Sequence, residues 1–204
     1  MKKVIVALAA LFVALSAHAQ FGIVAGLTSS KSDVQSAYAD IKNVSQYHVG
    51  VTYKLGLGNL FAIQPSLLYN MKGTALGDIT GISGTEVDYK TGFIEVPVQL
   101  QVGVGLGDLA RVYGFAEPFI GYAVSNKVVS GSSTSDTWDN VKNKLEYGVG
   151  LGIGAELIKH VQVSVKYFWN MGNVYGSDIT IANITSTIGE SKCNGVAASV
   201  AILF

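Results

Sequence analysis

Glu95, Arg111, Glu117, Glu146, Glu156 and Lys166 each sit in a run where bulky apolar residues alternate with small or polar ones, and each falls on the polar side of that alternation. Charges held off bulk water must be paired or solvated. Two chemistries are therefore open to them. They can neutralise one another as a network that fills an interior, or they can line a thin water path for ions. The filled interior is the leading expectation, with Gln64, Gln99 and Gln101 joining it.

Other reactive groups give little. The histidines that survive removal of the first residues are His48 and His160, and nothing clusters them with Cys, Asp or Glu as a metal site needs. His48 is expected to face the interior alone. It could approach Ser66 on the next strand only if the register permits, and no orienting acid surrounds it, so no enzyme activity is expected. The runs Gly103-Val104-Gly105-Leu106-Gly107 and Gly148 to Gly154 lack the G-x-G-x-x-G spacing, and there is no P-loop. No cofactor is expected. Cys193 is the single cysteine, which excludes an internal disulfide and reads as a small buried side chain.

The elements that must position these charges are strands. In LEYGVGLGIGAEL (145–157), Leu145, Tyr147, Val149, Leu151, Ile153, Ala155 and Leu157 form one set and Glu146, Gly148, Gly150, Gly152, Gly154 and Glu156 the other. A period of two puts the sets on opposite faces. One face is wholly apolar; the other is a row of glycines closed by carboxylates, as if something bulky fits against it. A strand this long, alternating and one-sided suits a bilayer crossed at a tilt. Val149, Leu151, Ile153, Val163, Val165, Val200, Ile202 and Phe204 are expected to face lipid. If Glu117 points inward, so do Arg111, Tyr113, Phe115 and Phe119, which would balance the glycine row.

The 204-residue chain opens MKKVIVALAALFVALSAHAQ, with a basic start, a short apolar core and Ala17-His18-Ala19 before Gln20. Residues 1–19 read as a signal peptide for export and 20–204 as one domain. Formal charge is zero, and loss of Lys2 and Lys3 leaves a slightly acidic chain, which argues against a nucleic-acid partner. Charged residues make up only 14% while Gly, Tyr and Phe number 24, 10 and 8, a balance that suits a barrel turning its apolar residues outward.

The alternation predicts strands at 21–30, 45–55, 60–71, 87–102, 109–124, 145–157, 161–171 and 192–204. Long loops fall at 31–43, 72–85, 125–140 and 172–190, and short turns at 56–59, 103–108 and 158–160. Loop and turn alternate strictly. The expected fold is all-β, an eight-stranded antiparallel up-and-down transmembrane barrel closed first strand on last, since an unpaired edge finds no water in hydrocarbon. Tyr47, Tyr53, Tyr69, Tyr122, Tyr147, Tyr167 and Trp169 fall near strand ends as interfacial girdles do. Pro65 lacks an N–H and is expected to gap its ladder or mark a bulge.

The chain resembles the small outer-membrane β-barrel family common in Bacteroidetes, the PorT-like or outer-membrane-protein β-barrel family. FGIVAGLTSS, IQPSLLYNMKG, FIEVPVQLQ and YGFAEPFIGY carry the likeness, with Glu117 standing where the family often has glycine. The apolar strand ending at Phe204 is similar to the end that the barrel-assembly machinery recognises. The resemblance implies an outer-membrane location, lipid as surroundings and no shared catalytic constellation. Some members of the family assist a protein-secretion system. The expected role is structural or surface-interacting, as a monomer with outside loops for recognition. A narrow porin-like pore, or an accessory to secretion or transport across the outer membrane, is the alternative.

Overall fold

The computed structural model describes residues 19–32, 39–58, 60–79, 87–107, 109–130, 133–136, 144–172, 178–181, 184–187 and 193–204. The strands are β1 (Ala19–Ser32), β2 (Ala39–Leu57), β3 (Phe61–Ile79), β4 (Val87–Leu106), β5 (Ala110–Ser130), β6 (Ser133–Asp136), β7 (Leu145–Leu157), β8 (Val161–Asn170), β9 (Asp178–Ile181), β10 (Ile184–Thr187) and β11 (Cys193–Leu203). Around the ring the order is β1-β2-β3-β4-β5-β7-β8-β11, every neighbour antiparallel. β1 closes on β11 from Gly22↔Leu203 to Ser32↔Cys193, and the Phe204 amide donates to the Phe21 carbonyl at 2.7 Å. The protein is thus a closed, eight-stranded, up-and-down barrel. β6 pairs with the far end of β5, and β9 and β10 form a separate hairpin.

Three short turns share one end of the barrel with the start of β1 and the end of β11. Leu57 pairs with Phe61, Leu106 with Ala110 and Leu157 with Val161. Two of the turns use glycine where the backbone is left-handed, at Gly58 (φ 74°) and Gly107 (φ 69°). The third puts Ile158 (φ 52°) and Lys159 (φ 61°) there, a conformation that a β-branched residue rarely adopts.

At the other end the strands outrun the sequence expectation. β2 begins at Ala39, β3 runs to Ile79 and β5 to Ser130, so parts of 31–43, 72–85 and 125–140 that read as loop are ladder, as in Ala39↔Ile79 and Val87↔Ser130. Polar residues replace apolar ones there while pairing continues, which hides the strand from a hydrophobic pattern. The 172–190 stretch likewise contains β9 and β10. Pro65 marks no bulge. It faces Val98, and the register resumes unshifted at Leu68↔Glu95. A missing N–H removes one bond without adding a residue. The Thr52 hydroxyl donates to the Pro65 carbonyl at 3.3 Å. The register shifts lie instead at Gly92/Phe93, between Ala39 and Ile41, and between Asn43 and His48. The signal peptide expected at 1–19 lies outside the described residues, except that Ala19 opens β1.

Two faces result. Leu151, Ile153, Val163, Val165, Val200, Ile202 and Phe204 are exposed on the outside, Ile153 by 73%. Val149 is half-buried, between Pro118 and Trp169 on the neighbouring strands. Inside, Tyr113, Phe115 and Phe119 on β5 stand opposite Gly154, Gly152 and Gly148 on β7. A Cβ on Gly152 would lie 2.5 Å from the Phe115 Cζ. The glycine row is the space that three rings occupy.

Candidate functional site: the barrel lumen

Alternation along each strand aims one charged or amide side chain after another at the axis, and the ring brings them together at three levels. Nearest the turns, Lys54 of β2 meets Glu156 of β7 at 2.5 Å, and Gln162 donates to the same carboxylate at 2.8 Å. Beside them Arg111 donates to Gln101 at 2.9 Å and to the Leu60 carbonyl at 3.2 Å, with its guanidinium over the Tyr113 ring at 5.3 Å. Gln101 in turn donates to Gln64 at 2.8 Å.

At mid-height the Lys166 ammonium is ion-paired with Glu117, which also accepts from Gln99 at 2.8 Å. These partners sit on β8 and β5, with β7 between. Gly150 leaves the space between them open; even a Cβ there would make only ordinary contacts, 3.5 Å from Lys166 and 3.7 Å from Glu117. Beside this pair, Gln64, Ser66, Gln99, Ser164 and Ser199 help line a cavity of about 20 Å³, room for about one water.

Nearest the long connections, Lys72 of β3 lies between Glu95 of β4 and Glu146 of β7. It is ion-paired with Glu95 and donates to Glu146 at 2.9 Å. Its ammonium also lies 5.5, 4.6 and 5.0 Å from the ring centres of Phe93, Phe119 and Phe168. Asn70 donates to Glu95 at 3.0 Å and Asn170 to Glu146 at 2.6 Å. Lys72 and both carboxylates are buried, their side chains 2%, 2% and 0% exposed.

His48 is not alone, and Ser66 is not its partner. The register puts His48 opposite Asn70 and Ser66 opposite Thr52, to which Ser66 donates at 2.8 Å. The imidazole instead bridges Thr28 and Ser199, each at 2.9 Å, and Thr28 donates to Asn70 at 3.1 Å. Gly26 on the intervening strand lets the ring cross, since a Cβ there would meet Nε2 at 2.5 Å. No carboxylate touches the ring in this arrangement, and among the described residues no three His, Cys, Asp or Glu side chains converge on a metal-sized site.

Lys54 and Lys72 are members of the network that the sequence analysis did not include. Lys54 continues the polar set of His48 and Thr52, which was signal enough. Lys72 falls at the start of a stretch read as loop, although the alternation through Gln64, Ser66 and Asn70 carries straight onto it. Without these two lysines the inward set holds four carboxylates against Arg111 and Lys166. With them, Lys54, Lys72, Arg111 and Lys166 stand among Glu95, Glu117, Glu146 and Glu156 in the network of the described residues.

The sequence pattern of a family described as "Outer membrane protein beta-barrel domain" matches residues 15–176. No curated protein sequence matches the chain. Among solved structures it is similar to Ail, the attachment invasion locus protein of Yersinia pestis, crystallised with the heparin analogue sucrose octasulfate (10% identity, TM-score 0.43, 92% of this chain and 99% of that one). It is similar also to Neisserial surface protein A (12%, 0.48, 90% and 97%) and to the outer membrane protein OprG from Pseudomonas aeruginosa (10%, 0.44, 92% and 97%).

Proposed function

The chain belongs to the outer membrane protein β-barrel domain family, and we propose that within it this protein is a closed-lumen barrel with a structural or surface-interaction role. Its place is the outer membrane. In barrels of this kind short turns face the periplasm and longer connections face outside. That orientation puts Ala19 and Phe204 on the periplasmic side and the extended ends of β2, β3 and β5 at the cell surface. Eight strands leave an interior just wide enough for side chains.

The observation that carries the reading is the stack of three ion-paired levels: Lys54 joins β2 to β7 and Lys72 joins β3 to β7 across the lumen, and Lys166 joins β8 to β5 over β7. The exposed apolar band from Leu27 to Ile202 would meet lipid. Phe204, on a strand that completes the ring, would be the feature read by the barrel-assembly machinery, after export directed by residues 1–19. A closed ring needs no second copy, so the working form is a monomer. The His48 environment has hydroxyls on both ring nitrogens and no acid to orient the imidazole, which favours a non-enzymatic role.

Purified protein in a planar bilayer tests the proposal. A closed lumen gives no stable single-channel current at neutral pH; reproducible unitary steps would overturn it. The small polar cavity at mid-height favours the second reading, a narrow pore, because it is where a water path would begin. Transport accessory to a secretion system, the role of some PorT-like proteins, would appear as a secretion defect in a deletion strain with the barrel itself non-conducting.

A further inference from the structure

Turns that meet water are built mainly from Gly, Pro, Asn, Asp and Ser. The three short turns of this barrel depart from that. Leu57-Gly58-Asn59-Leu60 and Leu106-Gly107-Asp108-Leu109 repeat one pattern that ends in leucine, and Leu157-Ile158-Lys159-His160 carries isoleucine. Leu60, Leu109 and Ile158 are 51%, 74% and 67% exposed, so the barrel covers less than half of each. Leu57, Phe61, Val104 and Leu157, on the strand ends that lead into the turns, are exposed as well, and so are Phe21 and Phe204 at the seam. Apolar residues gathered in this way mark a contact surface.

The register fixes the height of this end against the apolar wall. The hydrogen-bonded row that leaves β4 at Gly103, opposite Tyr113, passes Gly26 and His48 and returns to β4 at Phe93, opposite Asn70. A stagger of ten residues around eight strands tilts them by about 40° and gives each residue about 2.5 Å of height. Tyr147 and Leu157 are ten residues apart on the outer face of β7, hence about 25 Å in height, which is the hydrocarbon that an outer-membrane barrel crosses. Tyr122, Tyr147 and Trp169, whose rings carry a polar group, are exposed at the upper limit. Phe21, Phe61 and Phe204, whose rings carry none, fall within about 5 Å of the height of Leu157. The hydrocarbon boundary therefore falls at the turns, with no length of wall left below it.

We propose that the turn end of the barrel is a lipid-docking surface, with Leu60, Leu109 and Ile158 sunk into the boundary between acyl chains and headgroups of the adjoining leaflet. The occupant is phospholipid, because the patch continues, through Phe61, Val104 and Leu157, the outer wall that faces lipid. Side chains at that depth are removed from water without any protein partner. Recognition of other molecules is then left to the opposite end, where the strands run on past the apolar wall. The leaflet is the periplasmic one in the orientation proposed above, and the immersion of the turns does not rest on that orientation.

Tryptophan fluorescence of the mature barrel in phosphatidylcholine vesicles tests it. Leu60→Trp, Leu109→Trp and, as a mid-wall reference, Ile153→Trp are each made together with Trp138→Phe and Trp169→Phe. Lipid brominated at the start of its acyl chain is expected to quench the two turn variants more than lipid brominated near its methyl end, and aqueous acrylamide should quench them little. Ile153→Trp should show the reverse order with the two lipids. Quenching of the turn variants by acrylamide and by neither lipid would overturn the proposal and return the turns to water. Should the variants not insert, wild type answers alone. In solid-state NMR the methyl groups of Leu60, Leu109 and Ile158 are expected to receive polarisation from acyl-chain protons, and transfer from water alone overturns the proposal. A conducting barrel whose turns are quenched by lipid would sink the closed lumen and leave the docking surface standing.

Discussion

Lys54 and Glu156 stand on diametrically opposite strands, β2 and β7, and their charged groups meet at 2.5 Å on the barrel axis. Three strands lie between them along the wall in either direction. This pair is therefore a strut across the ring, and its loss should be felt by the ring as a whole. Removing one partner of a buried pair leaves the other uncompensated. Lys54→Met is expected to destabilise the barrel by about 3 kcal/mol, measured by urea unfolding in lipid vesicles. Lys54→Met with Glu156→Gln should recover part of that loss, because the orphaned charge is then gone.

The glycine row is not uniform, and the differences are testable. A Cβ on Gly150 makes ordinary contacts at 3.5 Å or more, whereas on Gly154 it would lie 2.5 Å from the movable ring tip of Tyr113. On Gly152 it would meet both the Phe115 ring and the backbone carbonyl of Val165. The expected order of damage is Gly152→Ala worst, Gly154→Ala intermediate and Gly150→Ala near neutral. Overpacking of this kind costs about 1–3 kcal/mol. Unfolding midpoints of the three variants in one lipid check the ranking; equal midpoints would contradict it.

Ile158 is expected to improve on replacement. Its left-handed backbone (φ 52°) strains a β-branched side chain that is 67% exposed and so has little packing to lose. Ile158→Gly should stabilise the turn by about 1 kcal/mol. The readout is a higher thermal midpoint for Ile158→Gly than for a control Ile153→Gly, which has no strain to relieve.

The outward face predicts a depth-dependent penalty. Ile153 is 73% exposed between Gly114 and Val165 on its neighbours, midway along the wall. Ile153→Arg is expected to cost about 2–4 kcal/mol in vesicles, as a cation costs near the bilayer midplane. Leu109→Arg, on a turn residue 74% exposed at the rim, should cost much less. Equal penalties at the two positions would argue that Ile153 does not sit in hydrocarbon.

Much of this was legible in the residues because a period of two is unambiguous where one face is greasy and the other is not. Leu145–Leu157 and Val161–Asn170 emerge with the expected ends, to within a residue. The reading stopped short where the greasy face stops. From Lys72 to Ile79 the ladder continues without an apolar set, and the key cation went with it. Cross-strand partners were beyond the sequence for another reason. Whether His48 meets Ser66 or Ser199 depends on register and on a missing side chain at Gly26, and neither is a local property.

Phe21 and Phe204 are bonded neighbours at the rim that also carries the three short turns. Topologically the polypeptide is a ring cut once, so a circular permutant that joins these ends and reopens at another turn would keep every ladder. What it would alter is the span of chain that the seam must bring together. In the natural order β1 and β11 pair across almost the whole domain, from Gly22 to Leu203, the longest loop that any ladder of the ring closes.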